Sequence, residues 1–386
     1  MRRPCVAVVT GARSEFGLLE GTIDQLSRSA VCTVEVVVAG MHLDERLGGT
    51  WRDVERRFPV AARVAMAPPI DTPAGMAASV SQGVAGFALA FEGMRPALLL
   101  LLGDRTEPFA ASLAATYLSI PVAHIHGGDL SGNRVDDFQR DAISRMARLH
   151  FAATETSAAR LRKLGVRGEI SVVGAPGLDA ILSSPSRPPG AIRAELGLQP
   201  TGQVVVVIYH PQPYLSAAVN GAEAGAVLDA VLEHVAAREG SAVVIYPNND
   251  AGHDAVVDAI EARRGRSGVV IVPSLPRASL LALLHEASIL VGNSSAGVIE
   301  SVSFGLPVVN VGDRQAGRER NRNVVDTRAE KAAVLDALRR VGEDPVVRAA
   351  VASRRNLYGD GHAAERIVGA IERFFSQEQV PSSGAQ

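Results

Sequence analysis

Short apolar runs alternate with longer stretches of helical periodicity along nearly the whole chain. The runs at Val6–Val9, Val34–Val38, Ala97–Leu102, Val122–Ile125 and Leu149–Ala152 show almost no polar alternation. They predict strands buried on both faces, the pattern of a parallel sheet covered by helices. A second set follows at Val204–Ile208, Ala242–Ile245, Val269–Val272, Ile289–Val291 and Val308–Val311. Amphipathic stretches such as Ala226–Arg238 and Ala255–Arg264 lie between them and predict helices. The alternation implies an α/β fold of two Rossmann-like domains. The Pro/Ser-rich segment SSPSRPPG, Ser183–Gly190, suits a linker, so the domains are expected at 1–182 and 191–362, with five runs apiece. Two such units bring their strand ends around a shared cleft, where open α/β sheets bind ligands. The tail at 377–386, ending PSSGAQ, is expected to be disordered.

Composition narrows the function classes. The 386 residues, 47% of them hydrophobic, suffice for about two cores. A net charge of −2 offers no basic face for nucleic acid and no charged tail. Cys5 and Cys32, the only cysteines, exclude a disulfide framework and a Cys-rich zinc site. Arg2 and Arg3 run directly into the first strand without a signal-peptide layout, and Glu92, Arg95 and Pro96 interrupt the apolar stretch Val84–Leu102. A soluble protein of a reducing cytoplasm, with no membrane partner, is expected.

Candidate chemistry gathers where the predicted strands end. Thr10–Gly17 (TGARSEFG) is a strand-to-helix turn whose backbone N–H groups and Arg13 would suit a diphosphate; an ordinary turn with a surface arginine explains it equally well. It is not GxGxxG, so no nicotinamide cofactor is expected. Gly103–Glu107 (GDRTE) puts Asp104 at the carboxyl edge of the most apolar strand, as an acid at a ligand site or as a helix cap. His124–Asp129 (HIHGGD) leads into Asp136, Asp137, Arg140 and Asp141. Asp104, Asp129 and Asp136 would then share one edge, where like charges raise at least one pKa and supply a general acid and base. The plainer reading is an acid-rich helix start. His124, His126 and Asp129 lack a fixed third ligand for a metal, and none is expected. In the second half His210 ends one strand, and Gly292–Glu300 (GNSSAGVIE) places Ser294 and Ser295 in a phosphate-cradling turn. Glu300 follows within reach of a ribose, and a polar loop carries Arg314 and Arg318. No Gly-Lys-Ser/Thr is present, so this is not an ATP-hydrolysing P-loop.

In their order and spacing these motifs resemble the hydrolysing UDP-N-acetylglucosamine 2-epimerases. The resemblance runs through GMHLDERLGGT (Gly40–Thr50), RLHFAAT (Arg148–Thr154), VGAPGLD (Val173–Asp179), YHP (Tyr209–Pro211), GDRQAGR (Gly312–Arg318) and YGDG (Tyr358–Gly361) as well as the motifs above. It implies a glycosyltransferase-B arrangement with an interdomain cleft, and a last helix near 363–376 packed back on the first domain. It also implies conversion of UDP-N-acetylglucosamine to N-acetylmannosamine and UDP for sialic or other nonulosonic acids. The route would be anti-elimination to 2-acetamidoglucal, then addition of water. Asp104, Asp129 and Asp136 would be the acids and bases. Arg13, His42, His210, Ser294, Ser295, Arg314 and Arg318 would bind substrate, Glu300 the ribose, and the base would lie near Pro273–Pro276. No cofactor is implied, and a homodimer or homotetramer is. Three positions depart from the family pattern: Asp129 stands where many members have Glu, and Asp141 and Arg148 replace histidines, which bears on the sugar accepted. The same fold also serves non-hydrolysing epimerases, epimerases of GDP- or diacetamido-sugars, glycosyltransferases and non-catalytic binders.

Overall fold

The computed structural model describes residues 3–45, 48–66, 73–132, 134–183, 187–248 and 250–378. The middle of the expected linker and the end of the expected disordered tail lie outside them. The first sheet contains β1 (Cys5–Thr10), β2 (Thr33–Ala39), β3 (Val60–Val64), β4 (Leu98–Leu102), β5 (Val122–Ile125), β6 (Leu149–Ala152) and β7 (Glu169–Val172). Its order is β3-β2-β1-β4-β5-β6-β7, with parallel pairing throughout. The second contains β8 (Val204–Ile208), β9 (Ser241–Ile245), β10 (Val269–Val272), β11 (Ile289–Gly292), β12 (Val308–Val311) and β13 (Val324–Thr327). Its order is β10-β9-β8-β11-β12-β13, again parallel.

Every apolar run named above forms a strand. The three strands those runs omit, β3, β7 and β13, are all at sheet edges. An edge strand is covered less completely, so its sequence keeps polar residues: β3 reads VAARV and β7 reads EISV. The interior strands have helices on both faces. Val6 and Val8 of β1 pack with Leu19 and Ile23 of the helix Arg13–Ser27, while Ala7 and Val9 face Phe87 and Phe91 of the helix Pro73–Met94.

The final helix, Ala363–Glu378, crosses back and buries Ile367, Ile371, Phe374 and Phe375 in the first-domain core. At roughly 1.5–3 kcal/mol for each such side chain, this is a docked element rather than a fraying end. Asp179 sets its start, accepting from the backbone N–H groups of Ala363 and Ala364 at 3.0 and 2.6 Å. Among the described residues one helix, Ala74–Met94, is long and apolar enough by length and composition to cross a bilayer. Here its Phe87 and Phe91 lie in the sheet core. Outside that core Leu89, Tyr117 and Phe138 are 72%, 84% and 73% exposed, on three successive helices of one sheet face.

Each sheet reverses its strand order once, between β1 and β4 and between β8 and β11. Those switch points open crevices at the carboxyl ends of the strands, which is where the polar motifs emerge. Gly292 ends β11 at φ 139°, and a Cβ there would lie 2.0 Å from the carbonyl oxygen of Ile208. Only glycine lets the chain leave the second crevice this close to β8.

Candidate active site

The second-domain wall is organised by Asn293, which is wholly buried. Its Oδ1 accepts from the His210 N–H at 2.7 Å and its Nδ2 donates to the His210 carbonyl at 2.8 Å. Its own carbonyl accepts from Gln315 at 3.0 Å and Arg314 at 3.4 Å. One residue, through its side-chain amide and its backbone carbonyl, therefore ties the ends of β8, β11 and β12 together. His210 Nδ1 accepts from the Asn248 backbone N–H at 3.0 Å. Burial, with Arg314, Arg105 and His253 nearby, holds the ring well below its usual pKa, so it is neutral. Because Nδ1 is an acceptor, the proton sits on Nε2. Ser294 caps the helix Ser295–Ile299 through the Ala296 N–H. Glu300 pairs with Arg277 at 2.7 Å.

Arg140 organises the first-domain wall. Its side chain is 1% exposed and forms ion pairs with Asp104 and, at 2.9 Å, with Asp137; it also donates to the Asp129 carbonyl at 3.0 Å. Asp137 further accepts from Ser131 N, Ser131 Oγ and Gly132 N at 2.8, 2.9 and 3.1 Å, so it closes the loop before its own helix. Its neighbour Asp136 faces different groups. Burial and the Asp250 carboxylate push Asp136 up to about 6, against the lowering influence of Arg314 and Arg105. A carboxyl at that pKa both takes and gives a proton near neutrality.

Asp129 is a fixed anion. Burial alone would raise its pKa, but His126, Arg318 and Ser157 outweigh that and hold it below the usual value. One oxygen takes His126 Nδ1 at 3.0 Å and Arg318 at 3.1 Å, and the other takes Ser157 Oγ at 2.7 Å. His124 donates to the Gly103 carbonyl at 2.7 Å and meets Ser144 at 3.0 Å; burial lowers it to about 4. It supports the Asp104 turn from behind. His42, expected at the ligand, is wholly buried instead, with Thr10 and Thr50 hydroxyls on its two nitrogens at 3.1 and 2.8 Å. Of the three family departures, Asp129 is the anion just described, whereas Asp141 and Arg148 face other groups. Asp141 is neutralised by a two-point pair with Arg160 at 2.7 Å, and Arg148 is exposed.

The two walls touch. Arg318 reaches Asp129, Glu319 accepts from Thr154 and Thr156, and Arg13 donates to Ser274 at 3.2 Å, in the loop expected to face the base. Gly132 and Gly317 pack this junction: a Cβ on Gly132 would lie 2.8 Å from the Asp313 carbonyl, and one on Gly317 2.6 Å from Leu130. Around the cleft the fold thus assembles Asp104, Asp129, Asp136, His210, Arg314 and Arg318. Ser294, Ser295 and Glu300 lie along the β11 exit, and Arg13 is at its rim. Residues to which the sequence assigned no role include Arg140, Asn293, Asp250 and Arg105. Arg105 lies among Glu107, Asp250, Glu15 and Asp136, which raise its pKa against the effect of burial. It stood in the GDRTE motif, whose density of charge was the available signal. Behind it Glu15 is raised to about 8 by burial and by Glu107.

Comparison with known proteins agrees with this architecture. The sequence model of a family described as UDP-N-acetylglucosamine 2-epimerase matches residues 24–372. The chain is 34% identical to the UDP-N,N'-diacetylbacillosamine 2-epimerase (hydrolyzing) of Legionella pneumophila, covering 97% of both chains. It is 28% identical to the UDP-N-acetylglucosamine 2-epimerase of Neisseria meningitidis serogroup B, covering 86% of each. A crystal structure of UDP-GlcNAc 2-epimerase from Neisseria meningitidis, bound to UDP-GlcNAc, superposes with a TM-score of 0.81 at 21% identity, over 96% of this chain and 100% of that one.

Proposed function

The chain belongs to the UDP-N-acetylglucosamine 2-epimerase family, and on that premise we propose that it is a hydrolysing 2-epimerase of a UDP-linked 2-acetamido sugar. The observation that carries the reading is one cleft with an acid near pKa 6, Asp136, on one wall and a neutral donor, His210, on the other. With UDP-N-acetylglucosamine, a carboxylate removes the C2 proton while the C1–O bond breaks and its electron pair leaves with UDP. The resulting 2-acetamidoglucal then adds water: hydroxyl to C1, and a proton to C2 on the opposite face. The products are N-acetylmannosamine and UDP. The C2 proton is only weakly acidic, so the leaving group needs strong assistance. His210 Nε2–H and the Arg314 and Arg105 cations stabilise the charge that develops on the diphosphate. Asp136 exchanges one proton with C2, and Asp104 is its partner for the opposite face. Asp129 holds the wall in place, while Ser294, Ser295 and Arg13 complete the nucleotide grip.

A second reading, a substrate with a further acetamido group at C4, is favoured by the similarity to the Legionella pneumophila enzyme over nearly the full length. Incubating the protein with each UDP-sugar in deuterated water, followed by NMR, tests both. Free UDP and a free 2-epimerised sugar carrying deuterium at C2 are expected; a product that keeps its original C2 hydrogen excludes elimination. The faster of the two substrates identifies the sugar.

The exposed Leu89, Tyr117 and Phe138 support a homo-oligomer formed through this helical face. Tyr117→Lys with Phe138→Glu is expected to shift the mass in light scattering toward the monomer. An unchanged mass assigns assembly to another surface.

A further inference from the structure

Arg277 has no role in the chemistry above. It opens the helix Arg277–Glu286, directly after the loop that meets Arg13. One nitrogen of its guanidinium, Nη2, donates both to Glu300 at 2.7 Å and to the carbonyl of Gly177 at 3.0 Å. Glu300 stands on the nucleotide wall of the second domain, whereas Gly177 belongs to the first-domain turn Pro176–Leu178. A single planar cation therefore bridges the two domains through a carboxylate placed for ribose. The side chains of Arg277 and Glu300 are 16% and 6% exposed, so solvent screens the pair weakly. Arg277 Nε is also buried, without a hydrogen-bond partner among the described residues.

Two glycines make room for this bridge. A Cβ on Gly17 would lie 3.3 Å from the Arg277 side chain, and one on Gly177 would lie 3.1 Å from Glu300 Oε1 and 2.7 Å from Leu18. Neither has a positive φ. Backbone conformation does not call for glycine at either site; the close approach of Arg277 at Gly17, and of Leu18 and then Glu300 at Gly177, does.

We propose that Arg277 is a positioning residue that couples recognition of a ribose diol by Glu300 to closure of the cleft. The proposal rests on the UDP-sugar reading above. A carboxylate can accept from both hydroxyls of a vicinal diol. Arg277 fixes the direction in which that carboxylate points, and it reaches the Gly177 carbonyl only when the first domain is seated. A nucleotide with the diol consequently favours the closed arrangement, and one without it gains nothing from Arg277.

The test is calorimetric binding of UDP and of 2′,3′-dideoxy-UDP to the full chain and to Arg277→Gln, Arg277→Lys, Glu300→Gln and the Arg277→Gln/Glu300→Gln double variant. The unaltered protein is expected to prefer UDP by ~10–100-fold, the worth of hydrogen bonds to a charged group. Arg277→Gln is expected to cut that preference to below ~3-fold and to raise KM more than it lowers kcat. Arg277→Lys should recover only part, since an ammonium lacks the planar fork. The double variant should be no worse than Glu300→Gln. Equal loss of both ligands in Arg277→Gln with the preference intact, or additive losses in the double variant, would overturn the coupling alone. An unaltered protein that binds neither nucleotide would overturn the UDP-sugar reading, and the coupling with it.

Discussion

Asp136→Asn is expected to lower kcat by about 10²–10⁴-fold, the usual loss when a positioned acid or base is removed. UDP affinity should stay within a few-fold, because the amide keeps the size of the carboxyl and most of the nucleotide grip is on the other wall. Single-turnover kinetics together with UDP titration separates the two effects, and equal losses of both would make Asp136 structural. The pH profile carries the sign. In its base form Asp136 accepts the C2 proton, and below about 6 it becomes protonated, so kcat/KM should fall on the acid side of that value. Burial is the first cause of the raised pKa and the Asp250 carboxylate the second. Asp250→Asn should therefore move the acid limb to lower pH. An acid limb that does not move in this variant would assign it to another group.

Arg140→Met is expected to cost about 3–5 kcal/mol of folding stability, the penalty for breaking a buried ion pair by removing one partner. The magnitude follows from what remains: Asp104 and Asp137 lose their shared cation, and the Asp129 carbonyl loses a donor. Urea unfolding followed by circular dichroism measures it. A loss below about 1 kcal/mol would mean that solvent reaches these carboxylates and that the pairs behave as surface pairs. Arg140→Lys should restore only part, because an ammonium cannot reproduce the guanidinium's geometry toward several acceptors.

Much of this was legible in the chain. The interior strands could be read because burial on both faces demands uninterrupted apolar runs, as in Leu98–Leu102. Three of the four edge strands, β3, β7 and β13, could not, because a strand covered less completely has no such requirement; β10 at the remaining edge kept its apolar run. The acids of the candidate site were visible as a group, since they follow strand ends that a parallel sheet gathers on one edge. Their division of labour was not. Asp136 and Asp137 are the same residue type at consecutive positions, yet Asp137 closes a loop on Ser131 and Gly132 while Asp136 faces the cleft. His42 lay in a motif that resembles the family, and only the packing shows that Thr10 and Thr50 engage both its ring nitrogens. Asp179 and Tyr358 stood in motifs without an evident task. One caps the returning helix, and the other, through its backbone carbonyl, receives the Ala175 N–H at 2.7 Å where the chain crosses back.

The sequence by itself determined the two parallel sheets, the edges at which ligands bind and the chemical types available there. These follow from local pattern: apolar periodicity, glycine at strand exits and acids beyond them. The tertiary structure decided which carboxylate is held as an anion, which is raised toward neutrality, and which histidine keeps its proton on Nε2. Those properties depend on burial and on charges brought from distant parts of the chain, such as Asp250 and Arg314 opposite Asp136, and Arg318 on Asp129. Electrostatic interaction acts through space, so no spacing along the chain encodes it.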